Sequence, residues 1–165
     1  MGKIAFAGFG EVNTPADIII RKCEKAAEEL EKLGLELVKV YPITDDYEET
    51  AITSALSKLT DTEYDAMVIC IAGWIPTHAV VKITERFRHI PIVLWGLCGW
   101  MEPDGRLVTT ADQAGTSALR AVFERLGYTF RYIYNIVGLP SRSEEVAVYC
   151  RAASAARRLR SARIG

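Results

Sequence analysis

The stretch that decides the fold is "AMVICIAGWIPTHAVVKITERFR", residues 66–88. Its first part, residues 66–73, is a short apolar run ended by glycine, which is typical of a strand buried on both faces. Its last part, residues 76–88, begins with proline and spaces its apolar residues as an amphipathic helix does. Trp74 lies between the two parts. The stretch therefore predicts a strand–helix unit with a large aromatic side chain at the end of the strand.

The same unit repeats along the chain. Apolar runs predict strands over residues 3–10, 35–42, 66–73, 90–96 and 129–137. Helical spacing predicts helices over residues 15–34, 47–59, 76–88, 110–127 and 141–162. Strict alternation of strand and helix is typical of a parallel sheet with helices on both sides. The sequence therefore predicts a three-layer, doubly wound α/β fold whose parallel sheet of five strands has the flavodoxin-like order 2-1-3-4-5.

The length of 165 residues suits one domain with a single core. We expect a single α/β domain over residues 1–160. Residues 161–165 are interpreted either as the start of a truncated further domain or as a frayed tail. The Gly-rich segment 97–109, between the fourth predicted strand and the fourth helix, is interpreted as a long loop.

Composition narrows the function classes. The net charge of −1 at pH 7 argues against a nucleic-acid surface, which needs a clustered basic excess. No apolar run approaches the roughly 20 residues of a membrane span, and the N-terminus has no cleavage-site pattern. The 4 cysteines are far apart and lack metal-binding spacing, so we expect buried, reduced thiols. These features predict a cytoplasmic protein that binds neither nucleic acid nor a membrane.

Candidate binding residues follow the first and third predicted strands. In open α/β sheets, ligands bind beyond the carboxyl ends of the strands where the strand order reverses, which here lies between these two strands. The polar and aromatic residues of the two loops are Glu11, Asn13, Thr14, Trp74, Thr77 and His78. Trp74 offers a ligand an apolar face and one N–H donor. We therefore interpret Glu11, Asn13, Trp74 and His78 as substrate-binding candidates.

These residues also have a purely structural interpretation. Trp74 can cover the start of the following helix as a lid on the core, and its place in the fold does not decide between the two. Glu11 and Asn13 can serve as turn residues before Pro15. The sequence leaves these alternatives open.

A second group of candidates follows the fourth predicted strand. Trp95 ends that strand, Trp100 lies in the following loop, and Asp112 and Gln113 begin a helix after a pair of capping threonines. Flat aromatic faces beside amide and acid groups are common in sites for sugars and other polyols. We therefore add Asp112 and Gln113 to the substrate-binding candidates.

Motifs for common cofactors and catalysts are incomplete. The segment "GFGEVN", residues 8–13, lacks the third glycine of the dinucleotide fingerprint because Asn13 stands there. The loop lacks the Ser/Thr-rich turn of a flavin phosphate site, and Glu11 lacks the second acid of a response regulator. No nucleophile elbow, pair of catalytic carboxylates or metal-ligand spacing is evident. We therefore predict no catalytic residue, metal or cofactor site in this chain.

Four segments together resemble a known family. They are "GFGEVNTPADII" (8–19), "DAMVICIAGWIPTH" (65–78), "PIVLWG" (91–96) and "GRLVTTADQAGTSALRAVFERLGY" (105–128). They resemble the N-terminal domain of the L-fucose/L-arabinose isomerase superfamily, particularly its L-fucose isomerase-like members. The family consists of longer enzymes that interconvert aldoses and ketoses with a divalent metal, commonly Mn²⁺, and that assemble as trimers or hexamers.

The resemblance implies roles for this chain. Its parent would be an intramolecular oxidoreductase whose metal ligands lie in other domains, so this chain would not be catalytic alone. In the family, the N-terminal domain reaches into a neighbouring subunit's site and helps to hold the sugar. Trp74 matches a tryptophan with this role, and Glu11 or Asn13 matches a polar position where better-known members carry a basic or amide group. Asp112 and Gln113 match by motif, without an assigned role.

The leading hypothesis is thus the substrate-assisting and oligomerisation domain of a metal-dependent aldose–ketose isomerase, with a sugar shared between subunits of a homo-oligomer. One alternative is a stand-alone flavodoxin-like domain that binds a sugar or small molecule without catalysis. Another is a structural oligomerisation domain whose tryptophans anchor an interface.

Overall fold

The computed structural model describes residues 2–162. The strands are β1 (Ile4–Phe9), β2 (Leu37–Ile43), β3 (Ala66–Ile71), β4 (Ile92–Met101), β5 (Leu107–Val108) and β6 (Phe130–Val137). The helices are α1 (Ala16–Lys32), α2 (Thr50–Thr60), α3 (Thr77–Thr84), α4 (Ala111–Arg125) and α5 (Ser143–Ser161), with a 3₁₀ turn at Glu85–Phe87.

The predicted topology is confirmed. The parallel strands lie in the order β2-β1-β3-β4-β6, and β6 is the fifth strand that the sequence predicts. A short addition, β5, pairs antiparallel with the far end of β4 and makes the sheet mixed. The order reverses between β1 and β3, so the loops after these two strands lie at the position where open α/β sheets bind ligands.

Two apolar cores lie on opposite faces of the sheet. In β1, Ala5, Ala7 and Phe9 belong to the core under α2, α3 and α4, whereas Ile4 and Phe6 belong to the core under α1 and α5. Successive strand residues point to opposite faces, so a strand covered on both sides must be apolar throughout. The continuous apolar runs of the sequence have this cause.

The segment 97–109 is a β-hairpin, and its interpretation as a loop is wrong. β4 continues to Met101, and the turn closes where the Glu102 N–H donates to the Arg106 carbonyl oxygen at 2.9 Å. β6 runs beside this extension and pairs Val137 with Trp100. The extended part of β4 thus pairs with β5 on one side and with β6 on the other. The glycine content of the segment does not reveal this pairing. Its Pro-Asp-Gly sequence was the available turn signal.

The end of the chain bears on the expected domain boundary. α5 continues through Ser161, the first residue of the segment interpreted as a new domain or a tail. Residues 163–165 lie outside the described residues, so that interpretation stays a prediction.

Candidate functional site

The loops after β1 and β3 meet at the carboxyl end of the sheet. A Cβ added at Gly73 would lie 3.4 Å from the Cα of Gly10 and 3.7 Å from the Oγ1 of Thr14. The backbone N–H groups of Ala72 and Gly73 donate to the Phe9 carbonyl oxygen at 2.9 and 3.3 Å. The two loops therefore form one continuous surface.

Trp74 lies between this surface and α4. A Cβ added at Gly115 would be 3.7 Å from Cδ1 of Trp74 and 3.6 Å from the backbone nitrogen of Ile75. Ile75 is buried, whereas Trp74 is 38 % exposed. The indole is thus held near the helix while more than a third of the residue stays open to solvent. We call residues 10–15, 72–78 and 110–116 the carboxyl edge.

A lysine from α1 joins the parts of the carboxyl edge. Lys22 Nζ donates to the Ala72 carbonyl oxygen at 2.8 Å and to Oδ2 of Asp112 at 3.3 Å. Asp112 is 4 % exposed and lies in the first turn of α4, where the helix dipole favours a negative charge. A buried carboxylate needs such partners because it has lost its water. The pair therefore ties the loop that contains Trp74 to the start of α4.

Thr110 completes the surroundings of Asp112. Its hydroxyl donates to Oδ1 of Asp112, and its oxygen accepts the backbone N–H of Gly99 at 3.0 Å. Thr110 occupies the N-cap position as predicted, but its side chain makes no capping hydrogen bond to the helix backbone. The hydroxyl instead orients the carboxylate and links the helix start to β4.

The remaining candidates lie around this network at different depths. Glu11 and Gln113 are partly exposed, and Asn13 and His78 are exposed. The Thr14 N–H donates to the Glu11 carbonyl oxygen at 3.0 Å, so Glu11 and Asn13 lie in the turn that their structural interpretation predicts. This turn does not conflict with a binding role, because both residues lie at the carboxyl edge.

The three tryptophans have different environments. Trp95 is fully buried and donates its indole N–H to Oδ1 of Asn135 at 3.1 Å, so its inclusion in a ligand-facing aromatic group is wrong. Trp100 is 41 % exposed and donates to Oε1 of Glu102 at 2.7 Å on the hairpin. Trp74 is therefore the tryptophan that combines exposure with a place at the loops after β1 and β3.

Lys22 is also reachable from the other face of the sheet. A cavity of about 180 Å³ lies beside it, under the last residues of β6. Its polar lining residues are Lys22, Lys25, Glu29, Asn135 and Ser141. The Lys22–Asp112 ion pair thus has polar, accessible space next to Lys22.

Cys98 lies below the carboxyl edge, with its Sγ 3.9 Å from Oγ1 of Thr116. Burial raises the pKa of Cys98 to about 11, and the hydrogen bond with Thr116 opposes this rise. The thiol is therefore protonated and a poor nucleophile at neutral pH. Among residues 2–162, no three His, Cys, Asp or Glu side chains are placed to hold a metal ion. The carboxyl edge offers an aromatic side chain and polar side chains that can bind a ligand.

Lys22 was missed by the sequence analysis. It lies 90 residues before Asp112, and no spacing rule connects the two. The available signal was indirect: Lys22 stands next to Cys23 and one turn after Ile19, and both are buried. That position places Lys22 near the sheet-facing side of α1, but it does not name the partner.

Comparison of the sequence with protein-family models and with curated proteins gives no match. None of the described helices is long and apolar enough to cross a membrane. The fold defines a flavodoxin-like α/β domain. The candidate site is its carboxyl edge, which combines the partly exposed Trp74 with the ion pair of the partly exposed Lys22 and the buried Asp112.

Proposed function

We propose that this chain is the N-terminal, substrate-assisting and oligomerisation domain of a cytoplasmic, metal-dependent aldose–ketose isomerase of the L-fucose isomerase-like kind. The metal, Mn²⁺ or a similar divalent cation, would be held by other domains of the parent protein. The sugar would be bound by one subunit and enclosed by the carboxyl edge of its neighbour, so this chain would not be catalytic alone.

One observation supports this proposal above the others. Two parts of the segments that carry the family resemblance, residues 72–78 and 108–116, contact each other in the fold. Trp74 of the first lies near Gly115 of the second, and Lys22 bonds to both. The meeting of these two segments supports a single site, to which both parts of the sequence pattern belong.

The exposure of Trp74 is consistent with a wall that a ligand and a neighbour complete. A large aromatic group left partly in water forgoes about 25 cal/mol for each Å² of apolar surface that stays uncovered. That cost disappears when a sugar ring or another subunit covers the face. The indole N–H then remains free to donate to a sugar hydroxyl.

A second candidate is a stand-alone domain that binds a sugar or small molecule without catalysis. The cavity of about 180 Å³ beside Lys22 favours it, because this chain forms that cavity alone. It requires neither a second subunit nor another domain.

The test compares two similarly exposed tryptophans in the full-length gene product. Isomerisation of L-fucose and L-arabinose is measured with Mn²⁺ for the wild type, Trp74→Ala and Trp100→Ala. We expect Trp74→Ala to lower kcat/KM by at least about tenfold, a loss of about 1.4 kcal/mol of transition-state binding. Trp100→Ala should stay within about twofold, because that indole already bonds to its own hairpin.

The same assay is run on residues 1–165 alone, together with a titration of each sugar. We expect no turnover above background. Turnover by this chain alone, or equal losses in the two variants, would contradict the proposal. Saturable sugar binding by this chain, lost in Trp74→Ala and without isomerisation by the full-length product, would establish the second candidate instead.

A further inference from the structure

A second cavity lies at the opposite end of the sheet from the carboxyl edge. It has a volume of about 460 Å³, which is within the usual range for small-molecule sites. Its walls come from the segments before β3 and β4, the end of α2 and the last turns of α5. We call this space the amino-edge cavity. The amino-edge cavity lies about 17 Å from the carboxyl edge, because the 6 residues of β3 separate the two.

Both carboxylates of the amino-edge cavity are already paired with one arginine. Arg157 bonds to Glu63 and approaches Oδ1 of Asp65 at 3.4 Å. Its Nη1 also donates to the Tyr64 carbonyl oxygen at 2.7 Å. Arg157 therefore forms part of the wall, and its charge offsets one of the two carboxylate charges.

Further basic residues line the same space. Arg86, His89 and Arg160 are exposed and contribute to the lining. Within residues 2–162, neither Arg86 nor Arg160 forms an ion pair with a carboxylate. The lining thus has an excess of positive charge that the wall itself does not neutralise. Guanidinium groups match the planar geometry of carboxylate and phosphate oxygens.

The rest of the lining is apolar. It includes Phe87, Ile90, Pro91, Ala153 and Ala156, and two threonines also line the cavity. A ligand for this space needs a charged end for the arginines and a compact apolar body for this surface. An inorganic anion alone would leave the apolar part wet.

The Tyr64 side chain is a second sign that the chain does not satisfy this region by itself. Tyr64 lines the cavity and is 3 % exposed, and its hydroxyl has no hydrogen-bond partner among the described residues. Burial raises the pKa of Tyr64, and a polar contact with the Thr62 side chain, which falls outside hydrogen-bond geometry, opposes the rise. Unpaired buried hydroxyls are uncommon because each costs about 1–3 kcal/mol.

We propose that the amino-edge cavity binds a small organic oxyanion, a phosphate or carboxylate attached to an apolar body such as a ring. Arg86 and Arg160 hold the oxyanion, and the surface around Phe87 and Ile90 holds the body. This site is separate from the carboxyl edge, and it does not depend on the isomerase proposal.

Arginines near helix C-termini also have a structural use, because they offset the negative end of the helix dipole. The two roles differ in their consequences. A dipole role changes the stability of the free protein, whereas a ligand role changes binding at unchanged fold. The experiment therefore measures both quantities.

The probes are phenyl phosphate, benzoate, inorganic phosphate and the neutral benzyl alcohol. Each is titrated into residues 1–165 by calorimetry and by amide chemical shifts, with Arg86→Gln, Arg160→Gln and Arg106→Gln as variants. Arg106 lies on the hairpin at the far end of the sheet and is the matched control. Thermal unfolding of each variant is recorded alongside.

We expect phenyl phosphate or benzoate to bind with a Kd below about 1 mM. Arg86→Gln and Arg160→Gln should each weaken it at least about fivefold, with Arg106→Gln within about twofold. Inorganic phosphate should bind at least about tenfold more weakly than phenyl phosphate. Whichever of phenyl phosphate and benzoate binds with the lower Kd identifies the oxyanion as a phosphate or a carboxylate.

Three results would overturn the proposal. The first is no saturable binding of either organic anion. The second is equal binding of benzyl alcohol, which would make the cavity merely apolar. The third is that Arg86→Gln and Arg160→Gln lower the melting temperature but leave binding unchanged, which would assign the arginines to the helix dipoles.

Discussion

The two ends of the sheet differ in how their buried polar groups are satisfied. At the carboxyl edge, the buried Asp112 carboxylate accepts hydrogen bonds from Lys22 and Thr110, which are both partly exposed. At the amino-edge cavity, the Tyr64 hydroxyl is buried without a partner among the described residues. The polar groups around Asp112 thus bond to one another, whereas the Tyr64 hydroxyl at the amino-edge cavity bonds to no other described residue.

This difference separates two uses of polar groups. A closed network holds loops in place, because breaking any member leaves another member buried and unpaired. A buried polar group without a partner destabilises the free protein. A ligand that forms a hydrogen bond with this group restores the lost stability. We therefore expect mutation of the Lys22–Asp112–Thr110 network to act mainly through stability, and mutation of the amino-edge cavity to act mainly through binding.

The largest expected effect concerns Asp112. Asp112→Ala removes the acceptor for Lys22 and Thr110, and we expect a loss of about 2–3 kcal/mol in the free energy of unfolding. Lys22 is partly exposed and regains water, which keeps the loss below that of a fully buried pair. Urea unfolding measures the effect. Asp104→Ala, in the exposed hairpin turn, is the control and should cost less than about 1 kcal/mol. A similar cost for both would mean that the carboxyl edge is not a closed network.

A matched pair of tyrosines tests the other end. Tyr128 is buried, and its hydroxyl accepts a hydrogen bond from Oγ1 of Thr84 at 3.2 Å, whereas the Tyr64 hydroxyl has no such bond. Tyr128→Phe should cost about 1 kcal/mol of unfolding free energy. Tyr64→Phe should cost nothing or raise stability by up to about 1 kcal/mol, because it removes an unsatisfied group. Equal losses in thermal unfolding would show that Tyr64 has a partner in solution.

The smallest expected effect is a pH dependence at Cys98. Its pKa rises from the ordinary 9.0 to about 11, so the unfolded thiol ionises before the folded one. The contribution of Cys98 to stability is full below pH 9 and is lost as the pH rises towards 11. Between pH 8 and 9.5 we expect a loss of less than about 1 kcal/mol. Urea unfolding at these two pH values should show a smaller loss for Cys98→Ala than for the wild type. Identical losses would assign the pH dependence to other groups.

The sequence was sufficient for the sheet because its signals are local. The continuous apolar runs of β1 and β3 and the helical spacing of α1 each arise within one element, and a parallel sheet of alternating units has few arrangements. The meeting of the loops after β1 and β3 follows from that order, so the place of Trp74 was predictable.

By itself, then, the amino-acid sequence determined the α/β class, the strand order and the end of the sheet where Trp74 lies, because residue periodicity encodes burial. Only the tertiary structure decided that Trp95 is core while Trp74 is exposed, since both follow apolar runs. The Lys22–Asp112 pair and the amino-edge cavity likewise depend on the fold. Each joins side chains from distant segments, and their proximity is set by helix packing across the sheet, which no local pattern records.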